Sequence, residues 1–178
     1  MKFDELLMGM MKEGESRCSL MGIWLSAPQV QQFCSSIQKK GDAKGLEELY
    51  LGGCGLGDGG VQAVMAALRE NGSRLKVLDL YMNYIGDAGA KALAESIPRC
   101  PNLQELSLYT NSIGDEGVKA LAESISYCPK LITLNIYPNK DSPANEALID
   151  AALAGPRRAS EVHYYSIPSA ASLSTLRS

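Results

Sequence analysis

The sequence lacks a surplus of positive charge and is almost without histidine. It has 17 Lys and Arg against 20 Asp and Glu, a net charge of −3, and the single histidine is His163. Proteins that bind nucleic acid usually carry a basic surface, so we expect no nucleic-acid partner. No Cys or His residues stand at the spacing of metal ligands, and no Ser-His-Asp or Cys-His arrangement is indicated. We therefore predict no metal, no cofactor and no enzymatic activity.

Long hydrophobic runs are also missing. No uninterrupted apolar stretch approaches the ~20 residues that a membrane-spanning helix needs, so no membrane span is predicted. The first apolar stretch contains acidic residues and does not have the basic-then-apolar order of a secretory signal. The five cysteines are an odd number and include no CxxC pair, which is unlike a secreted disulfide scaffold. We expect an intracellular, cytoplasmic protein in a reducing compartment.

What the sequence does contain is an internal repeat. The segments 75–102 and 103–130 have the same length, align without a gap and are identical at most positions. The segment from Leu46 fits the same frame with one extra residue, and the segment from Leu131 begins the frame again. Such a period indicates stacked supersecondary units, because one unit alone cannot bury its apolar edge.

Each unit has the pattern of a strand, a turn and a helix. Leu78-x-Leu80 alternates like a strand with one buried face. Asn recurs at the bend that follows, with Cys54 in its place in one unit, and it is expected to hydrogen-bond the backbone of neighbouring turns. The Asp of a recurrent Gly-Asp pair is predicted to cap the following helix. The members of these sets are Asn83, Asn111 and Asn139; the pairs at 57–58, 86–87 and 114–115; and the helical stripes Leu93/Ile97 and Leu121/Ile125.

The pattern LxxLxLxxNxI, recurring at this period, resembles leucine-rich repeats of the ribonuclease-inhibitor-like class. Similar repeats occur in NOD-like receptors and in the activating protein of the Ran GTPase. The resemblance covers residues 46–140. It implies an α/β solenoid of about five to six 28/29-residue repeats, with a curved parallel sheet on the concave side and helices on the convex side.

Constant spacing extends this frame to both ends of the chain. Residues 18–166 are predicted as the repeat domain, with units that start near 18, 46, 75, 103, 131 and 159. In this frame Met21 and Ile23 point inward in the first unit, and Val162 and Tyr164 do so in the last. Val30, Phe33 and Ile37 form the first helical stripe. Residues 1–17 are predicted as an amphipathic capping helix with Phe3, Leu6, Leu7 and Met10 on one face, and residues 167–178 as an irregular tail.

One column of strand residues is rich in aromatics, in a chain that is only 6% aromatic. The residue after the third repeat leucine reads Trp24, Gly52, Tyr81, Tyr109, Tyr137 and Tyr165. Tyr and Trp are favoured at protein interfaces, although duplication of the repeat would also copy a tyrosine. Acidic neighbours suggest a partner with basic groups. The predicted partner-binding residues are Trp24, Tyr50, Asp79, Tyr81, Glu105, Tyr109, Asn135, Tyr137 and Tyr165.

These features favour a non-catalytic scaffold that binds another protein through its concave face, either free or as a subunit of a larger assembly. One alternative is a GTPase-activating or other regulatory module like the Ran regulator. A second is a carbohydrate or other ligand bound on the tyrosines. Gly55-x-Gly57-x-x-Gly60 has the layout of a dinucleotide-binding fingerprint, but the repeat accounts for Gly57 and Gly60 and leaves Gly55 unexplained. The sequence predicts no particular oligomeric state.

Overall fold

The structure, a computed structural model, describes residues 3–10, 16–39, 45–69, 74–137, 139–140, 148–149, 151–152 and 163–164. Strands and helices alternate along the chain. The strands are β1 (Arg17–Ser19), β2 (Glu48–Tyr50), β3 (Val77–Asp79), β4 (Glu105–Ser107), β5 (Thr133–Asn135) and β6 (His163–Tyr164). The helices are α1 (Phe3–Met10), α2 (Ala27–Lys39), α3 (Gly57–Leu68), α4 (Asp87–Ser96), followed by a 3₁₀ turn (Ile97–Arg99), and α5 (Asp115–Ile125).

All six strands form one parallel sheet in sequence order, and successive helices pack side by side. The middle residue of each strand from β1 to β5 is buried, whereas its two neighbours are less so. Leu93, Ile97, Leu121 and Ile125 are fully buried, which confirms the predicted helical stripes. Each such side chain contributes about 1.5–3 kcal/mol on burial. The predicted class, an α/β solenoid of strand-helix repeats, is confirmed.

An asparagine ladder joins the bends after the strands, as predicted. Asn83 is fully buried, and its Oδ1 accepts the N–H groups of Cys54 at 3.2 Å and Leu56 at 3.1 Å in the preceding repeat. Its Nδ2 donates to the Leu51 carbonyl at 2.7 Å. Cys54 partly copies this role, since its Sγ donates to the Leu20 carbonyl at 3.1 Å. The ladder gives partners to backbone groups that would otherwise be buried without any.

The aspartates that cap α4 and α5 come from the preceding repeat. The prediction that each Asp caps the helix of its own repeat was therefore wrong. Asp58 lies in the first turn of α3, but it caps the next helix, α4. Its Oδ1 accepts the N–H groups of Gly86 at 2.7 Å and Gly89 at 2.9 Å. Asp87 does the same for α5 through Gly114 and Gly117. A Cβ at Gly89 would lie 2.5 Å from the Asp58 Oδ1, which explains why glycine recurs there. Each repeat therefore supplies the cap for its successor.

The first repeat is displaced by three residues from the predicted frame. The frame aligned Cys18 with Leu46, whereas in the sheet Cys18 pairs with Leu49. Cys18 and Leu20 therefore point inward and are buried, whereas Met21, predicted to be inward, is 45% exposed. The physical reason is a longer first repeat: the paired residues Arg17 and Glu48 are 31 positions apart, whereas the predicted frame assumed a constant 28. The predicted helical stripe of this repeat is nevertheless buried as expected: Val30, Phe33 and Ile37.

The last strand is displaced by two residues. Tyr164 pairs with Leu134, and His163 pairs with Thr133. Tyr164 thus takes the register position opposite Leu134, which the constant-length frame assigned to Val162. Val162 itself, Tyr165 and the predicted tail at 167–178 lie outside the described residues.

Helix α1 packs on the repeat core through its apolar side chains. Leu7 is buried within the core, and Phe3 and Leu6 pack partly buried against it. The side chain of Met10, the fourth member of the predicted apolar face, lies outside the described residues. Across the described part of the chain, every helix is too short or too polar to cross a membrane.

Candidate binding surface

The strands present one face away from the core, and we call it the open face. Its side chains lie in three columns, set by the parallel register and by its continuation beyond the strands. The first column is Arg17, Glu48, Val77, Glu105 and Thr133; the second is Ser19, Tyr50, Asp79, Ser107 and Asn135; the third is Met21, Gly52, Tyr81, Tyr109 and Tyr137. The structure thus brings seven of the nine predicted binding residues onto this face.

Three consecutive repeats place a tyrosine in the third column. The Met82 N–H donates to the Tyr109 carbonyl at 3.0 Å, which keeps Tyr81 and Tyr109 in adjacent rungs. Tyr109 is 38% exposed, whereas Tyr81 and Tyr137 are partly buried. The Tyr81 ring lies over Gly52, where an added Cβ would be 1.9 Å from Cε1. Gly52 therefore makes room for the tyrosine of the next repeat.

One end of the open face carries a compact polar cluster. Arg17 forms an ion pair with Glu48 at 2.6 Å, and its guanidinium lies 5.2 Å from the centre of the Tyr50 ring. The Tyr50 hydroxyl donates to Glu48 at 3.0 Å. Burial, and then this hydrogen bond, raise the pKa of Tyr50. The first column begins with Arg17, which neutralises the acidic Glu48 beside it.

The middle of the open face carries the unneutralised acids. The Asp79 Oδ1 accepts the Tyr81 N–H at 3.0 Å. Within the described residues no cationic side chain pairs with Asp79 or Glu105. The Oδ1 of Asn135, farther along the second column, is buried and accepts no hydrogen bond from the described part of the chain. This region therefore carries two carboxylates without a cationic partner and one amide oxygen without a hydrogen-bond donor among the described residues.

Trp24 lies elsewhere, which corrects its predicted place in the tyrosine column. Because the first repeat is displaced, Trp24 is aligned with Gly55 and Tyr84 in the loops that follow the strands. Its ring meets that of Tyr84 edge-on, with centroids 5.9 Å apart and planes at 64°. The two residues come from the first and third repeats, and the indole passes over Gly55, where a Cβ would be 2.8 Å from it. This contact explains Gly55, the glycine that the repeat pattern left unexplained.

Four exposed apolar side chains concentrate in these loops, and we call them the loop edge: Met21, Trp24, Met82 and Tyr84. Trp24 is 65% exposed, Tyr84 67% and Met82 50%. Met82 and Tyr84 were not among the binding residues predicted from the sequence. A signal was available, since both stand where the preceding repeat has glycine, at Gly53 and Gly55.

The backbone of the loop edge is strained at the same residues. Met82 has φ 50° and Tyr84 φ 59°, and Thr110 in the next repeat has φ 53°. A residue with a Cβ in this left-handed region costs about 1–2 kcal/mol. Gly53 and Gly55, at φ 68° and 70°, adopt the same conformation without that cost.

The helix side offers a second depression of a different character. An open groove between α4 and α5 is lined by residues that include Glu95, Glu123 and Tyr127. Tyr127 is 71% exposed. Lys91, also at this groove, pairs with Glu116 at 3.5 Å. This groove is formed by helices, whereas the open face is formed by strands. Its residues therefore serve as controls for substitutions on the open face.

The cysteines are all free and buried. Burial raises the pKa of the Cys18, Cys34, Cys54 and Cys100 thiols to about 11. Neutral thiols are poor nucleophiles and poor metal ligands. Among the described residues no three His, Cys, Asp or Glu side chains cluster as a metal site would require.

Comparisons with known proteins agree with this architecture. A family model described as "Leucine Rich repeat" matches residues 46–65, 74–94 and 99–122. The fold is that of a leucine-rich-repeat α/β solenoid. Among 55 matching chains of solved structures is one described as "Leiomodin-1 Actin-Binding Site 2 (ABS2)", with a TM-score of 0.63 and 13% identity. The match covers 86% of this chain and 88% of that chain. No curated protein matches the chain significantly.

Proposed function

We propose that this chain is a non-catalytic scaffold that binds a partner protein through the open face. The observation that carries the proposal is the column of Tyr81, Tyr109 and Tyr137 in adjacent rungs of a parallel sheet. Aromatic side chains held on a rigid sheet bury a large area at little cost in conformational entropy.

We also infer that the repeats are of the ribonuclease-inhibitor-like class. The strand centres of the central units stand at 49, 78, 106 and 134, a spacing at the long end of the range for leucine-rich repeats. The units centred at 49, 78 and 106 each pair their strand with an α-helix (α3, α4 and α5), and a long repeat has room for one.

The charge of the open face supports a partner with basic groups. Asp79 lies in the second column, next to the tyrosines, and Glu105 lies in the first, and neither has a cationic partner among the described residues. A Lys or Arg side chain of a partner would gain a charge-assisted hydrogen bond there. Opposite charges would also speed the encounter of the two proteins.

The decisive experiment compares tyrosines on opposite sides of the molecule. Tyr109→Ala removes an exposed ring from the open face, and Tyr127→Ala removes a more exposed ring from the helix side. Both proteins are used as bait in native lysate, and each captured protein is identified and titrated. We expect Tyr109→Ala to weaken the partner by about tenfold or more, as a central aromatic anchor does, and Tyr127→Ala to leave its Kd unchanged.

Tyr81 and Tyr137 are partly buried, so their alanine variants must first be checked for folding by circular dichroism. Glu105→Gln tests the charge without changing the shape, with Glu123→Gln on the helix side as its control. If Tyr109→Ala and Glu105→Gln both leave every titrated partner at its original Kd, the open face is not the interface.

Actin is the first defined protein to assay, because the matching leiomodin-1 structure is described as an actin-binding site. Filament co-sedimentation and titration of monomeric actin both suit a chain of this size. Binding that Tyr109→Ala abolishes would identify the partner. Binding that Tyr109→Ala leaves intact would place actin on another surface.

A further inference from the structure

A notch floored by bare backbone lies at the loop edge between the first and third repeats. A Cβ on Gly22 would meet nothing within 4 Å, and one on Gly53 would meet only the Gly22 backbone, at 3.6 Å. To one side the Tyr81 ring covers Gly52, and to the other the Trp24 ring covers Gly55. The uncovered backbone of Gly22 and Gly53 is thus bordered by two aromatic walls.

The next repeat fills the corresponding positions with large side chains. Met82 follows Gly53 in its column, and Tyr84 follows Gly55. Both residues are half or more exposed and adopt left-handed backbone conformations that glycine would adopt freely. Their side chains therefore add little to the core and cost conformational energy. Strain of this kind persists where side chains serve a purpose outside the fold.

The charge around the notch identifies the kind of partner that would fit it. The segments that form this edge, 21–26, 52–56, 81–86 and 109–114, contain no Lys or Arg. Asp79, two residues before Tyr81, receives only the Tyr81 N–H at 3.0 Å among the described residues. Two aromatic walls beside an unneutralised carboxylate favour an apolar side chain followed by a cationic one.

We propose that the notch binds an extended segment of a partner protein. An apolar side chain of that segment lies over Gly22 and Gly53 between Trp24 and Tyr81, and a Lys or Arg side chain pairs with Asp79. The segment is extended because an extended chain can bring a single side chain onto bare backbone, whereas a helix is about 10–12 Å across. This inference rests on the proposed scaffold function, and it places one anchor of the partner at the loop edge, beside the tyrosine column.

The chain carries its own reporter for the test, since Trp24 is the only tryptophan. The probes are two pools of short synthetic peptides, one with Leu, Pro or Phe beside Arg, the other with Glu in place of Arg. We expect the Arg pool to shift the Trp24 emission to shorter wavelength and the Glu pool to leave it unchanged. Asp79→Asn, which keeps an acceptor for the Tyr81 N–H, should weaken binding of the Arg pool alone.

Substitutions to glycine separate the effect of the Met82 and Tyr84 side chains on peptide binding from the effect of backbone strain. Met82→Gly and Tyr84→Gly should each raise the Kd of the Arg pool by about tenfold. Thr110→Gly relieves the same backbone strain one repeat farther on and should leave the Kd unchanged. Equal effects of Met82→Gly and Thr110→Gly, or equal shifts from both pools, would overturn the proposal.

The outcomes also distinguish this inference from the scaffold function. An identified partner that is lost in Tyr109→Ala but retained by Met82→Gly and Tyr84→Gly would leave the open face as the interface and eliminate the notch. A shift in Trp24 emission that grows with protein concentration alone would assign the notch to a second copy of the chain and overturn the choice of occupant.

Discussion

Trp24 and Tyr84 form an edge-to-face ring pair, with centroids 5.9 Å apart, that spans two repeats across Gly55. Side chains of consecutive repeats normally meet in a solenoid, because each repeat contacts its neighbours. A pair that skips one repeat requires that repeat to have no side chain in the way. Gly55 meets this requirement, so the geometry of the loop edge depends on the absence of a side chain at this position.

Gly55→Ala should destabilise the protein and displace the indole. The alanine would adopt φ near 70°, and its Cβ would lie 2.8 Å from the Trp24 ring. We expect the free energy of unfolding to fall by about 1–2 kcal/mol in urea titrations. Gly59→Ala in α3 is the control, since its Cβ meets nothing within 4 Å. It should raise the free energy of unfolding by about 0.5–1 kcal/mol, and an equal loss in both variants would contradict the explanation.

Asp58→Ala should loosen the helix of the following repeat. The substitution removes the acceptor of the Gly86 and Gly89 N–H groups. Loss of a cap costs about 0.5–2 kcal/mol. Hydrogen exchange should accelerate at Gly86 and Gly89, and much less at Gly60 in α3, the helix that contains Asp58. Acceleration at Gly60 instead would show that the cap acts within its own repeat.

Asn83→Ala should be the most damaging single polar substitution. It leaves the Leu51 carbonyl and the Cys54 and Leu56 N–H groups without their partner inside the fold. A buried polar group that loses its partner costs about 1–3 kcal/mol, so the three groups together cost about 3 kcal/mol or more. The control is a partly exposed asparagine, Asn102→Ala, which removes a bond to a lysine at the surface and should cost under about 1 kcal/mol. Thermal unfolding of the two variants, measured side by side, shows whether the asparagine ladder contributes this much to stability.

The buried thiols should resist alkylation in the native state. Burial raises the pKa of Cys18, Cys34, Cys54 and Cys100 from 9.0 to about 11. Because the raised pKa favours the neutral thiol in the fold, this stabilisation is complete below pH 9.0 and is lost as the pH rises towards about 11. At about pH 8 a thiol reagent should label the native protein slowly and the denatured protein quickly. Rapid labelling of the native chain at that pH would contradict the burial.

The central repeats were predictable because their sequences repeat at fixed spacing. Leu78, Leu80 and Asn83 each recur one period later, and burial of one strand face follows from that pattern. The ends were not predictable in the same way, because a frame of constant length cannot register a first repeat that is longer than the others. That displacement explains why Trp24 was assigned to the tyrosine column and lies outside it.

Contacts between repeats were the second kind of feature that the sequence could not supply. Asp58 stands at the start of α3, where a cap for that helix is the natural interpretation, yet its acceptor faces α4. The direction depends on how neighbouring repeats are offset, and only the packed structure fixes that offset. The same offset lets Tyr81 cover Gly52.

The most direct measurement of the proposed interface is site-specific photo-crosslinking. A photoreactive phenylalanine is placed at Tyr109 on the open face and, in a second protein, at Tyr127 on the helix side. We expect one identified partner to crosslink at position 109, with the adduct competed by excess unlabelled wild type and not by Tyr109→Ala, and to be absent at position 127. The same partner crosslinked equally at both positions, or only at 127, would contradict the assignment of the open face.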